Sequence, residues 1–238
     1  MKGNSVESQV KSKKRVADHG EVFTNEREVK AMCDLVKDEC NRIESRFLEP
    51  ACGNGNFLAE ILSRKLAVCK RLYKKSASDY EKYSFLAVSS IYGVELLNDN
   101  AQECRERLYK IWESDYKSVC KKEQNEDIKK AIRYLLDRNI LCGNALSLMT
   151  VDENGNDTEQ FIVFSEWSFV TETLVKRRDF RLDVLLRENE DNDLRLSIFD
   201  DDFKGSDLWE FDSASKAFIP KPIKEFKPIY YRRIFENG

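Results

Sequence analysis

The sequence predicts an α/β fold built on a parallel sheet with crossover helices. Two observations carry this. Through residue 148, short apolar runs of strand length alternate with longer stretches in which apolar residues recur every three or four positions. The stretches between the runs are long enough to return the chain for a parallel strand, which a hairpin turn is not. The 238 residues suit one good-sized domain, or one domain with a short appendage, and a hydrophobic share of 41% suffices for a core.

Residues 1–18 read as a flexible basic arm, with Lys2, Lys11, Lys13, Lys14 and Arg15 against Glu7 and Asp18. Residues 25–43 read as a helix with Val29, Met32, Val36 and Ile43 on one stripe and Leu35 beside it. Residues 46–49 form a first strand, which Pro50 stops. Residues 56–74 form a helix facing inward through Phe57, Leu58, Ile61, Leu62 and Leu66, and a further helical segment covers 79–88. Residues 90–96 are the second strand and 98–119 a long helix with Cys104, Leu108 and Ile111 on one stripe beside Trp112. A helix over 128–138 and a third strand over 139–142 follow. Residues 152–157 have turn composition, and 160–164 offer a fourth strand. Beyond them, 181–210 is acidic, whereas 211–238 is basic and held extended by Pro220, Pro222 and Pro228. The domain is drawn at 19–170, and 171–238 as a charged extension.

Composition excludes several classes. Lys+Arg total 40 against 43 Asp+Glu, so no uniformly basic nucleic-acid coat exists, only local patches. The seven cysteines include no C-x-x-C pair, which argues against a disulfide framework or a structural zinc site. His19 is the only histidine, which leaves little room for a histidine metal site or a Ser-His-Asp triad. The first residues hold no apolar core of a signal peptide, and no stretch approaches the roughly 20 apolar residues of a membrane span.

Chemistry concentrates at three strand ends. In residues 47–58 (FLEPACGNGNFL), Glu49 ends a strand, Gly53 and Gly55 make a turn, and a helix begins. Glycines let a ligand approach the backbone, and the helix start offers free N–H groups. Glu49 repels phosphate, so an amine-bearing ligand fits better than a pyrophosphate. Such a turn by itself also serves simply to pack a helix on a strand. Glu95, ending the second strand, suits the two hydroxyls of a ribose, although it lies 40 residues after Gly55, about twice the usual spacing of about 20. A helix-capping role suits it equally. Asn144, after the third strand, suits an adenine edge or an ordinary turn.

Together with His19-Gly-Glu-Val-Phe-Thr-Asn25, these segments resemble the S-adenosylmethionine-dependent adenine-specific DNA methyltransferases of bacterial restriction–modification systems. The family's G-E-x-F-T-P segment is matched at 20–25 with Asn25 for proline. Its D-P-A-C-G-S-G-x-F-L segment is matched at 49–58 with Glu49 for Asp and Asn54 for Ser, and its G-D-A segment at 143–145 with Asn144 for Asp. The resemblance spans roughly residues 15–148. It implies a Rossmann-like class I methyltransferase fold, a parallel sheet with helices on both faces, in a cytoplasmic bacterial protein that uses no metal. Phe23 and Thr24 would meet the methionine end of S-adenosyl-L-methionine, and Glu49, with Pro50 and Ala51 after it, its amino group. Gly53 and Gly55 would form the turn beside it. Glu95 would hold the ribose, and Leu96, Asn144 and Ala145 would meet the adenine. His19 is read as structural or surface.

One family element is missing. The catalytic [N/D/S]-P-P-[Y/F/W] motif positions the target adenine's amine and stacks on the flipped base. The four prolines here are nowhere adjacent. The nearest polar–aromatic stand-ins are Ser165-Glu166-Trp167 and Asp179-Phe180. Lys176, Arg177, Arg178, Arg232 and Arg233 are candidate contacts to DNA phosphate. Three readings follow: a split enzyme whose second polypeptide supplies the motif, a non-catalytic cofactor-binding accessory subunit, or a methyltransferase with an unrecognised catalytic loop.

Overall fold

The structure, a computed structural model, describes residues 11–19, 21–187, 209–212 and 217–237. Helix α1 (Lys13–His19) overlaps the stretch 1–18 expected to be a flexible arm and runs one residue past it. The helix expected over 25–43 is two, α2 (Glu26–Leu35) and α3 (Lys37–Cys40), broken at Val36, where φ is −118°. The inner positions fall to Val29, Cys33, Cys40 and Ile43, while Met32, Leu35 and Val36 are exposed. Cysteines, acting as small apolar side chains, take places that larger residues were expected to hold.

Three parallel strands follow: β1 (Phe47–Glu49), β2 (Ile91–Glu95) and β3 (Ile140–Asn144), with Leu48 opposite Tyr92 and Val94 opposite Leu141. Between β1 and β2 run α4 (Asn56–Tyr73) and α5 (Ala77–Ser89); between β2 and β3 run α6 (Asn98–Cys120) and α7 (Glu126–Asn139). Ser76 and Asn125 cap α5 and α7, accepting from Asp79 N–H and from Asp127 and Ile128 N–H. The strands follow the chain in the order β1-β2-β3, so right-handed crossovers fall on one face. There α4, α5, α6 and α7 pack together around Leu58, Leu62, Phe85, Leu108, Trp112 and Ile132.

The other face was expected to carry helices and is covered differently. Tyr92 and Val94 pack on Ile162, Phe164 and Leu182, with the Tyr92 and Phe164 rings edge-on at 5.3 Å. The strand expected at 160–164 is parted by buried Ile162 into β5 (Asp157–Phe161) and β6 (Val163–Phe169). β4 (Met149–Val151) and β5 add antiparallel to the first sheet, in the order β1-β2-β3-β4-β5. The mixed α/β architecture, with its parallel β1–β3 core, fits a methyltransferase-like fold.

A second sheet forms where β6 pairs with β7 (Leu174–Arg181), which leads into α8 (Leu182–Arg187). β8 (Trp209–Asp212) and β9 (Ala217–Pro220) pair antiparallel with each other. β10 (Lys224–Glu225) and β11 (Ile229–Tyr230) pair with the other side of β7. The 3-10 segment Tyr231–Asn237 sends Tyr231 and Ile234 into the main core. The boundary drawn after residue 170 therefore cuts the β6–β7 hairpin, and part of the expected extension is core. Buried Glu81 of α5 fastens it, accepting from Tyr116 Oη at 2.8 Å, Tyr231 Oη at 2.6 Å and Arg232 Nε at 2.5 Å. Of the acidic stretch 181–210, residues 188–208 lie outside the described residues. No described helix is long and apolar enough to cross a membrane.

Candidate cofactor-binding site

The turn after β1 is shaped by two glycines in the left-handed region, Gly53 at φ +54° and Gly55 at φ +87°. Each is closely covered. A Cβ on Gly53 would lie 3.3 Å from Phe23 Cε1, and one on Gly55 would lie 2.6 Å from Cys104 Sγ. The turn is thus held between the Phe23 ring and helix α6. Cys52 N–H donates to Val94 O at 2.9 Å, which pins the turn to β2. The Cys104 contact and burial together push the Cys52 thiol well above the ordinary range, so it packs as a neutral group.

Glu95 joins two strand ends. Its Oε2 accepts from Gly53 N–H at 2.8 Å, and its Oε1 accepts from Leu97 N–H at 3.0 Å and Asn100 Nδ2 at 3.3 Å. Oε2, with one donor, keeps acceptor capacity for a ligand hydroxyl. Glu49 differs: burial raises its pKa, opposed by the Ala51 N–H, and no cation pairs with it among the described residues. Asn54 gives Nδ2 to Glu103 at 3.4 Å, but its buried Oδ1 has no donor. Phe23 and Thr24, from a distant segment, are brought in by the Gly53 contact and by Asn56 Nδ2 donating to Thr24 O at 2.9 Å. Asn25, standing where the resembled family has proline, caps α2 by accepting from Arg27 N–H at 2.9 Å.

The arm and the first turns of α6 complete the surroundings, with Asp99, Asn100 and Glu103 passed over in the sequence reading. Arg15 brackets Asp99 at 2.6 and 3.1 Å and pairs with Glu21 at 2.7 Å. Lys11 Nζ reaches Glu103 at 2.6 Å and Asn100 Oδ1 at 2.7 Å. The arm is therefore docked from residue 11 onward, and the hydrogen bond from Arg15 draws the Asp99 carboxyl down to about 2. Buried Asn100 lies at the centre, five residues past Glu95 on the first turn of α6. Only the spacing from Glu95 hinted at it.

The remaining expected residues are placed less simply. Leu96 is half-buried, while Pro50 and Ala51 are exposed. Ala145 packs beside the Tyr92–Phe164 cluster. Asn144 uses its Oδ1 on Leu146 N–H at 3.0 Å and its Nδ2 on Asp157 at 2.9 Å, so it shapes its own turn. His19 ends α1. Two shallow surface clefts, one lined by Gln102, Tyr109 and Arg133 and the other by Ile43, Leu72 and Tyr83, include none of these residues.

The expected catalytic stand-ins and phosphate contacts have partners within the fold. Trp167 is buried and donates Nε1–H to Asn139 Oδ1 at 3.2 Å. Asp179 is buried against Arg177, at 2.8 Å, and Ser165 Oγ, at 2.8 Å. Phe180, next along β7, is half-buried on the opposite side, with Arg178 over its ring, so the two cannot act as a pair. Arg177 is 5% exposed and also bonds Tyr134 Oη, which removes it from phosphate. Arg178 pairs with Glu166, Lys176 with Glu225 and Arg232 with Glu81, each cation already neutralised. Arg233 is exposed and faces Glu236 at 3.7 Å.

A family model described as "MmeI, DNA-methyltransferase domain" matches residues 19–211. No curated protein and no solved structure matches the chain.

Proposed function

Because the chain belongs to the MmeI DNA-methyltransferase domain family, a restriction–modification methyltransferase family, we propose that it is the S-adenosylmethionine-binding part of an adenine-specific DNA methyltransferase. The observation that carries this reading is the Glu95–Gly53 junction with Phe23 across it, three separated segments converging on one turn. The residues present fit the cofactor. Among the described residues Glu49 is a half-buried carboxylate without a cation, suited to an ammonium group, and Asn54 Oδ1 is an acceptor without a donor. Glu95 Oε2 keeps acceptor capacity for a ribose hydroxyl, and Gly53 lets the Phe23 ring lie close against the turn. On this reading the sheet is one half of a Rossmann-like class I fold. When bound, the cofactor supplies an electrophilic methyl group. This chain's residues hold it, orient its ribose and amine, and seal its inner side from water.

The second polypeptide of a split enzyme is favoured by a specific observation. β1 is the outer strand of its sheet, with no described strand on its free edge. Open α/β sheets bind ligands where strand order reverses, and reversal needs a strand beyond β1. With Asp179 paired to Arg177 and no adjacent prolines among these residues, the split-enzyme reading assigns adenine positioning to a partner that carries the motif. Transfer of tritiated methyl to DNA tests this with the protein alone and with the product of a neighbouring N-P-P-Y-containing gene. Activity only in the pair supports the split enzyme. Activity of the protein alone overturns the split and leaves a complete methyltransferase; activity in neither overturns catalysis and leaves an accessory subunit.

A further inference from the structure

The amino-terminal arm and the ribose-facing acid are joined through one fully buried amide. Asn100 donates Nδ2 to Glu21 Oε1 at 2.6 Å and to Glu95 Oε1 at 3.3 Å, and its Oδ1 accepts from Lys11 at 2.7 Å. The orientation is fixed by chemistry: only the amide nitrogen can donate to two carboxylates, and only the oxygen can accept from an ammonium. The charged groups around it are Lys11 and Arg15 of the arm, Glu21 after it, Glu95 at the end of β2, and Asp99 and Glu103 of α6. Four carboxylates thus gather around two cations. Without the amide, Glu21 and Glu95 would lose the donor that lies between them, and the Glu95 carboxylate would be held by the Gly53 and Leu97 N–H groups alone.

We propose that Asn100 is a positioning residue for the cofactor, fixing the Glu95 carboxylate for the ribose and coupling it to the Lys11–Arg15 arm. This rests on the S-adenosylmethionine reading above. Asn100 acts through Glu95 and touches no reacting atom. The arm matters because Lys11 holds the amide's oxygen, and so holds the amide's nitrogen toward both acids.

Asn100→Asp tests the proposal by a pH profile. The aspartate is nearly the amide's shape. Ionised, it sets a third carboxylate against Glu21 and Glu95; protonated, it regains an O–H donor. S-adenosylhomocysteine affinity is measured by calorimetry for wild type and variant at about pH 8 and about pH 5.5, either side of a carboxyl raised by like charges. The expected result is a variant weakened about tenfold or more at the higher pH, the scale of a hydrogen bond to a charged group, with the gap closing at the lower pH. A merely structural role would leave the gap unchanged with pH, and that result, or equal affinities at both, overturns the proposal. Lys11→Met, on a partly exposed side chain, is the second variant; it should weaken binding about threefold or more, and an unchanged affinity likewise overturns the coupling. No binding by wild type at either pH would instead remove the cofactor reading itself.

Discussion

Gly55→Ala is the sharpest perturbation of the turn that the site depends on. Gly55 sits at φ +87° as the N-cap of α4, a conformation that costs an L-residue about 1–2 kcal/mol. The new methyl would also lie 2.6 Å from Cys104 Sγ and 3.3 Å from Cys104 Cβ. Cys104 is fully buried in the main core, so its sulfur cannot swing into solvent, and such overpacking costs about 1–3 kcal/mol. Together the two effects predict a loss of about 2–5 kcal/mol in urea unfolding. Cys104→Ala in the same background removes the sulfur but not the left-handed strain. The double variant should therefore be less destabilised than the sum of the two single variants, a coupling readable in a double-mutant cycle. A Gly55→Ala loss below about 1 kcal/mol, or strict additivity, would refute this account of the turn.

Other side chains give independent tests. Lys65 is fully buried, donates to Ile43 O, Ser45 O and Ser90 Oγ, and is drawn down to about 8 by burial. A folded pKa below the unfolded one penalises the charged form, so its contribution improves between about pH 8 and 10.5 by up to about 3 kcal/mol; the unfolding free energy of wild type minus that of Lys65→Met should rise with pH over that range. Arg177→Met strands buried Asp179 and should cost about 3–5 kcal/mol, with Arg177→Met/Asp179→Leu recovering much of it; unfolding curves check both. Tyr231→Phe removes one of three donors to Glu81 and should cost about 1.5–3 kcal/mol in the same assay.

The parallel core was legible because its signals are local. β1, β2 and β3 are bounded by Pro50, by the Glu95 turn and by the Asn144 turn, and the intervening helices carry regular apolar spacing. Gly53 and Glu95 were readable as types at strand ends, and Phe23 through the family resemblance, and the three do converge. What failed depends on tertiary partners. Arg177 and Arg232 look like solvent-facing cations in sequence, and only folding brings Asp179 and Glu81 to them. Asp179 faces inward along β7, a strand whose inward side carries Arg177 and Asp179 and so shows no apolar alternation in sequence, and its burial required the β6 pairing. The arm was read from composition alone, which cannot reveal that Arg15 finds Asp99 and Glu21 across the fold. Cysteines were discounted as chemistry and then left out of the apolar stripe, which misplaced the inner face of α2.

The most direct test is calorimetric titration with S-adenosylmethionine, of the wild type beside Glu95→Gln, a change that keeps the side chain's size while removing the charge. The site described here predicts one-site binding by the wild type and a loss of about tenfold or more in the folded variant, the scale of charged hydrogen bonds to a ribose. A wild type that does not bind, or a folded Glu95→Gln that binds equally well, would contradict it.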